Sequence, residues 1–357
     1  MKLKIGIVGC GNIAQKHIRY IAKRMDKSYI AVCDKDPLRL EEFAKATGIE
    51  NRFSDVEVML RQLSPDVVHI LTPPPTHKAI AITCLENGCH VLIEKPMCLS
   101  IEEAEQIIDI ARKKKLLVCV DHMRLFDPLI IKVRKLLESG TLGSIVNISA
   151  GYSYDFLQKM DTDPAIRWLK DLPGGTFFDV MPHPLCLLEE FMPGLEVEKS
   201  ILKQNKEGLV TDLLAIFKAS AGTATLHMSL NIFPLKNYVE FECTKGIIRA
   251  DFRNFLITIR RLYNLPNAIE RIVGNLGVGM QTLVGSIASI FGFILGKLDP
   301  YAGLDYIIEN FYKAIVEKDI SPVPAEKAKR LLELTQTIFR DLKEKHQGPS
   351  QAAPLKE

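Results

Sequence analysis

The string Gly9-Cys10-Gly11-Asn12-Ile13-Ala14 reads G-x-G-x-x-A, set between the apolar run KIGIVGC and a helix-forming stretch from Asn12 to Met25. The chemistry such a string serves is pyrophosphate binding. The first glycine permits a tight turn, the second lets the backbone approach the phosphates, and the small third residue lets the helix pack close. The helix start then offers unbonded N–H groups and the positive end of a dipole to an anion. Asp34 closes the next apolar run, 20 residues after Ala14. A carboxylate there accepts hydrogen bonds from a ribose 2′-hydroxyl and repels a 2′-phosphate, which favours NAD over NADP. Lys35, next in line, could reach a 2′-phosphate.

A second constellation is Asp179-Val180-Met181-Pro182-His183, after Gly174-Gly175. In a helix, residues four apart share a face, so the carboxylate could orient the imidazole and stabilise its charged form. Pro182 and Pro184 are compatible with that only near a helix start. Taken alone, the pair also fits a structural histidine with a satisfied ring.

The elements that must position these groups change character along the chain. From Lys4 to about Val120, short apolar runs (YIAVC, DVVHILT, HVLIEKP, LLVCVD) alternate with helical stretches over Pro37–Thr47, 77–87 and Ile101–Lys114. That alternation predicts βαβ units and a parallel sheet. After Asp121 one helix follows, over 128–139. Then come strand-like runs with turn pairs between them: SIVNISAGYSY, VTDLLAIFKA, TATLHMSLNIF, YVEFECT, GIIRADF and FLITIRRL. Successive strands without crossover helices predict an antiparallel meander. The reading is therefore an α/β protein with a dinucleotide-binding domain over 1–120, a second domain over 121–346 ending in a helix from Ala325, and a polar tail over 347–357.

Composition narrows the function class. A net charge of +3 over 357 residues leaves no nucleic-acid footprint. The runs Lys113-Lys114-Lys115 and Lys327-Ala328-Lys329-Arg330 read as solvated helix faces. None of the eight cysteines forms a C-x-x-C, and no histidine pair follows at zinc-finger spacing, so no metal is expected. Cys33 and Cys119 sit inside apolar runs. Buried thiols imply a reducing compartment, and MKLKIGIVGCG lacks a signal-peptide pattern, so a cytoplasmic protein is expected. The stretch 272–296 carries no charge and six glycines. A membrane span is rejected, because it would part the C-terminal helix from its own domain. A buried glycine-rich hairpin is the leading expectation. The alternatives are a subunit interface and a surface resting on the inner face of a membrane.

Taken together, GIVGCGNIAQKH, CDKDP, ILTPPPTHKAIAITCLENGCHVLIEKP, FDPLIIKVRKLLESGTLGSI and GGTFFDVMPH make the chain resemble the Gfo/Idh/MocA oxidoreductases over nearly its whole length. The resemblance implies an N-terminal Rossmann domain and a C-terminal α/β domain with a large, mostly antiparallel sheet, often a homo-oligomer interface in relatives. It implies that Gly9, Gly11, Asn12, Ile13, Ala14 and Asp34 bind NAD. Thr72, Pro73 and His77 would line the nicotinamide side. Lys95 of Glu94-Lys95-Pro96 would sit beside nicotinamide and substrate, with Glu94 orienting the segment and the peptide before Pro96 often cis. Arg124, Arg167 and Trp168 become substrate-pocket candidates. Relatives tend to carry an asparagine where this chain has Met123.

The implied reaction is hydride transfer between NAD and a secondary alcohol of a sugar or nucleotide-linked sugar. His183, with Asp179, is the first choice of base because an imidazole pKa near 6.5 suits neutral pH. Lys95 is the second choice, or else the cation that steadies an alkoxide. Two alternatives are an NAD-using glycosidase of the same family and a non-catalytic NAD-binding sensor or scaffold.

Overall fold

The structure, a computed structural model, describes residues 3–157, 166–172, 174–295 and 299–346. The tail at 347–357 lies outside the described residues. Contacts divide the chain into two units. The first holds Met1–Pro128 and Asp299–Leu332, the second Leu129–Leu298 and Glu333–Glu357. The boundary expected near 120 thus falls at 128. In addition, a segment from the far end of the chain returns to the first unit.

The first unit is built on six strands: β1 (Ile5–Val8), β2 (Ile30–Cys33), β3 (Asn51–Phe53), β4 (Val67–Ile70), β5 (His90–Ile93) and β6 (Val118–Val120). All are parallel, in the order β3-β2-β1-β4-β5-β6. Every residue of β1, β2 and β4 is buried. Continuous apolar runs are what a sheet covered on both faces requires. The covering helices are α1 (Asn12–Ile21), α2 (Pro37–Thr47), α3 (Val56–Leu63), α4 (His77–Glu86) and α5 (Ile101–Lys114). Strand order reverses between β1 and β4, and the crevice at the carboxyl ends of strands around such a reversal is where open α/β sheets take ligands.

Three helix starts beside this sheet are sealed by side chains. Asp36 accepts from the N–H groups of Leu38 and Arg39 at the head of α2, and Asp55 from Val58 at the head of α3. Ser100 accepts from Glu103 at the head of α5. Such caps are each worth about 1 kcal/mol. The start of α1 has no side-chain cap and no acidic residue in its first turn.

α6 (Pro128–Glu138) leads to the second unit, whose seven strands are β7 (Ile145–Ser153), β8 (Glu196–Gln204), β9 (Val210–Ala219), β10 (Gly222–Ser229), β11 (Asn237–Cys243), β12 (Gly246–Asp251) and β13 (Leu256–Arg261). Their order is β13-β12-β11-β7-β10-β9-β8. The expected simple meander is corrected here. β7 lies between β11 and β10 and runs parallel to β10, while the other pairings are antiparallel. Two short helices, α7 (Thr176–Val180) and α8 (Pro182–Phe191), precede β8. One sheet face is core, with Ile148, Phe217, Leu226, Val239, Phe241 and Ile248 buried, and Phe191 of α8 packs edge-on against Phe241 at 4.9 Å. Ser149, Thr225, His227, Glu240 and Arg249 alternate with them on a half-exposed face.

The expectation of a buried hairpin over 272–296 is overturned. The stretch belongs to one 28-residue helix, α9 (Asn267–Ile294), of which only Gly274 is buried among the described residues. Gly296, the end of that stretch, lies outside them. The glycines do not break the helix, and at least one of them serves its packing. A side chain at Gly285 would run into Leu256 of β13, which outweighs a helix-propensity cost of about 1 kcal/mol per glycine.

Two further helices follow, α10 (Ala302–Glu317) and α11 (Ala325–His346). α10 buries Leu304, Ile307, Ile308 and Phe311, spaced for one helical face, against the first unit. All eight cysteines are free thiols.

Candidate active site

Gly9 sits at φ +98°, and its N–H donates to the Cys33 carbonyl at 2.8 Å. A Cβ there would stand 2.7 Å from the Leu71 carbonyl oxygen, so only glycine fits the turn. Gly11 differs. It has an ordinary extended backbone, and nothing lies within 4 Å of where its Cβ would be. Ala14 is fully buried beneath. An open glycine, the uncapped amides of Asn12 and Ile13, and a tight packing alanine are the set a pyrophosphate needs. NAD therefore fits the residues present, with Gly9, Gly11, Asn12, Ile13 and Ala14 as its phosphate cradle.

Asp34 is 8% exposed at the end of β2. Its Oδ2 accepts the Cys10 N–H at 2.8 Å and its Oδ1 the Asp36 N–H at 2.9 Å. The carboxylate thus locks the glycine turn to the next loop, and each oxygen keeps a second lone pair for a ribose hydroxyl. Lys35 is exposed.

Past β4, Thr72 is half-buried and Pro73 exposed, but His77 is not a lining residue. Its ring is fully buried. Nε2 lies 2.6 Å from the Thr72 carbonyl and Nδ1 3.0 Å from the Pro96 carbonyl. His77 ties the loop after β4 to the loop after β5. Burial lowers its pKa against the pull of those carbonyls.

The loop after β5 is Glu94-Lys95-Pro96, with the Lys95–Pro96 peptide cis. Glu94 Oε2 accepts the Lys95 N–H at 3.1 Å. Beneath it lies a buried network that the sequence did not disclose. His17 Nε2 lies 3.5 Å from Glu94 and 3.8 Å from Asp121. His17 Nδ1 meets His69 Nδ1 at 2.9 Å, and His69 Nε2 meets the Tyr312 hydroxyl at 2.7 Å. Burial and the Glu94 charge push Asp121 well above the usual carboxylate range. Burial opposes the Glu94 charge too, but His17 and Lys95 hold that carboxyl low. Of the two carboxyls, Asp121 is the one more readily protonated.

His122 is 2% exposed, and neither of its ring nitrogens has a hydrogen-bond partner among the described residues. Burial and the charges of Lys327 and Lys95 bring its pKa down to about 3. Arg124, on the turn Met123–Phe126, is paired with Asp127 at 3.0 Å and largely buried.

In the second unit, Gly174 and Gly175 both have positive φ, and a side chain on them would strike Phe339 and Leu209 respectively. Asp179 lies in α7 and His183 in α8. Met181 between them keeps helical dihedrals, and its N–H donates to the Phe177 carbonyl. Pro182 takes the first position of α8. The helical register expected across 179–183 is kept, so Asp179 and His183 stand one turn apart on half-buried positions. Trp168 is half-buried on the turn Arg167–Asp171. The Arg167 side chain lies outside the described residues.

Fold and site together define a Rossmann-type dinucleotide-binding protein with a second α/β domain. Residues 3–122 match the oxidoreductase family with an NAD-binding Rossmann fold, and residues 130–249 match the GFO/IDH/MocA C-terminal domain. The chain belongs to the Gfo/Idh/MocA oxidoreductase family. It is 26% identical to an oxidoreductase of Formosa agariphila over 57% of its length and 65% of the relative's. It is 33% identical to the D-glucoside 3-dehydrogenase of Escherichia coli over 40% of its length and 41% of the relative's. It thus spans less than two thirds of either. The WlbA dehydrogenase of Bordetella pertussis, solved with NADH and UDP-GlcNAcA, has the same fold, with a TM-score of 0.77 at 20% identity over 96% of both chains.

Proposed function

We propose that this protein is an NAD-dependent oxidoreductase that moves a hydride between a nicotinamide cofactor and a secondary alcohol of a sugar or nucleotide-linked sugar. The observation that carries the reading is the placement of Lys95 at the carboxyl end of β5, two strands from the open glycine turn after β1. At about 4.8 Å per strand that is about 10 Å, a span a dinucleotide covers. When bound, NAD supplies the hydride acceptor or donor.

The chain's own groups handle charge and protons. The cradle at Gly9–Ala14 holds the pyrophosphate, and Asp34 selects the ribose hydroxyl. Lys95, fixed by Glu94 and the His77 tie, steadies the oxygen as its proton leaves. His183, oriented by Asp179, takes that proton. The half-exposed face of the seven-stranded sheet is the proposed surface for pairing with another copy. Eight free thiols support a cytoplasmic location.

The test is a panel of nucleotide sugars, glycosides and inositols read by NADH formation. Lys95→Ala and His183→Ala should each lower kcat by orders of magnitude while NADH binding survives. Wild-type turnover by both variants overturns the assignment. Release of an aglycone without net NADH would instead identify the glycosidase. NADH binding with no turnover on any substrate would leave the sensor.

A further inference from the structure

The helix α9 is turned inside out relative to an ordinary surface helix, which hides its apolar stripe and shows its polar one. Here Asn275, Gln281 and Ser289 bond to the strand side of the protein. Gln281 pairs with edge strand β13 through both amide atoms: Oε1 accepts the Ile259 N–H at 2.8 Å, and Nε2 donates to the Ile259 carbonyl at 2.9 Å. Asn275 accepts from Arg260 at 2.8 Å. Gly274 and Gly285 lie on the same side. Outward, Ile272, Leu276, Met280, Leu283, Ile287 and Ile290 recur every three or four residues, each 46–69% exposed. Phe291 and Phe293 extend the ridge at 60% and 77% exposure. No charged side chain occurs from Ile272 to Ile294. A helix of this length is about 42 Å long, and a ridge of that extent exceeds what a soluble surface leaves uncovered.

A cleft of about 340 Å³ opens at the root of the same helix, between the β11–β12 turn, the end of β13 and the first turns of α9. Its walls carry Lys245, Arg260, Arg261 and Arg271. The acid among them, Glu270, already accepts the N–H groups of Tyr263 and Leu265 at 2.9 and 3.1 Å. The cleft is therefore cationic, and it adjoins the apolar ridge. A second copy of the chain would account for the ridge, but the ridge alone gives no reason for the four cations grouped beside it. A span across a bilayer is excluded by connectivity. Residues before α9 (Met1–Pro128) and after it (Asp299–Leu332) form one compact unit, with the Val120 N–H bonded to the Val323 carbonyl at 3.0 Å.

We infer that α9 and the cleft at its root dock this protein onto an anionic phospholipid surface. Headgroup phosphates sit among Lys245, Arg260, Arg261 and Arg271, and the ridge rests in the headgroup–acyl boundary, parallel to the membrane plane.

The test is flotation of the full chain with vesicles of phosphatidylcholine alone or mixed with phosphatidylglycerol, at low and high salt. The protein should float with the mixed vesicles and lose most of that binding in phosphatidylcholine alone or in high salt. Arg261→Gln and Arg271→Gln should each weaken partition by about fivefold. Leu276→Glu with Leu283→Glu should abolish it with unchanged circular dichroism and melting, since both positions are exposed. Three results would overturn the inference: no flotation with anionic vesicles, partition indifferent to all four substitutions, or a wild-type oligomer that the glutamate pair splits in solution while vesicles bind neither form.

Discussion

The His77 ring joins the Pro96 carbonyl, at 3.0 Å from Nδ1, to the loop after β4, at 2.6 Å from Nε2 to the Thr72 carbonyl. The residue that looks from its motif like a cofactor contact is therefore a buried tie that sets the position of the Lys95 loop. His77→Ala takes away the one N–H that the neutral ring can offer these buried carbonyls, and should cost about 1–3 kcal/mol of stability. kcat/KM should fall about tenfold to a hundredfold through misplacement of Lys95. His77→Gln, which can still donate to one carbonyl, should recover part of both. Urea unfolding and steady-state kinetics on the two variants check this, and an unchanged kcat in His77→Ala would remove the tie from the mechanism.

The two glycines of the turn have separable jobs. Gly9→Ala forces a Cβ against the Leu71 carbonyl at positive φ, and should destabilise the fold by about 1–3 kcal/mol. Gly11→Ala meets no atom of the protein, so its melting temperature should match wild type while NADH binding weakens at least about tenfold. Calorimetry and NADH titration on each variant distinguish the two effects.

Asp34 joins structure to selectivity. In Asp34→Asn one backbone N–H meets an NH₂ instead of an oxygen, which should cost about 1–2 kcal/mol. Loss of the charge that repels a 2′-phosphate should narrow the preference for NADH over NADPH. Paired dissociation constants for the two cofactors measure it. An unchanged ratio would show that Asp34 serves the loop alone.

His122 predicts a pH dependence. Its pKa is held at about 3 in the fold, against 6.5 as the ordinary value. Between those two pH values the unfolded chain binds a proton that the folded chain refuses. Stability should therefore fall as pH drops through that window, with a slope approaching about 1.4 kcal/mol per pH unit from this group. His69, also buried and lowered by burial and by His17, adds a slope of the same sign. His122→Phe removes the contribution of this one group. Because neither ring nitrogen is hydrogen-bonded among the described residues, the change should cost little at neutral pH. Urea midpoints across the acid range should show a flatter decline in the variant.

Much of this molecule is legible along the chain. The glycine turn, Asp34 and the four longer strand runs are local features, each encoded by a few adjacent residues, and the strand runs take their places in the parallel sheet. β3 escapes because Asn51-Arg52-Phe53 is only partly buried and carries no apolar run, unlike the equally short β6. The helical register from Asp179 to His183 follows from their spacing, since Pro182 falls where a helix begins. His122, Asp121, His17 and Tyr312 carry no local signal. Their importance comes from being buried against one another from positions up to 243 residues apart, as in His69 and Tyr312.

By itself, then, the sequence determined which segments are strands and helices around the cofactor turn, and which residue types stand there to bind a dinucleotide. Tertiary structure alone decided that residues 299–332 rejoin the first unit, that β7 runs beside β10, that His77 is a tie and not a lining residue, and that α9 shows its apolar face outward. The physical reason is common to all four. Burial and hydrogen-bond satisfaction are set by what another part of the chain brings up against a residue, and a local pattern records only that a face is apolar, not which way it turns.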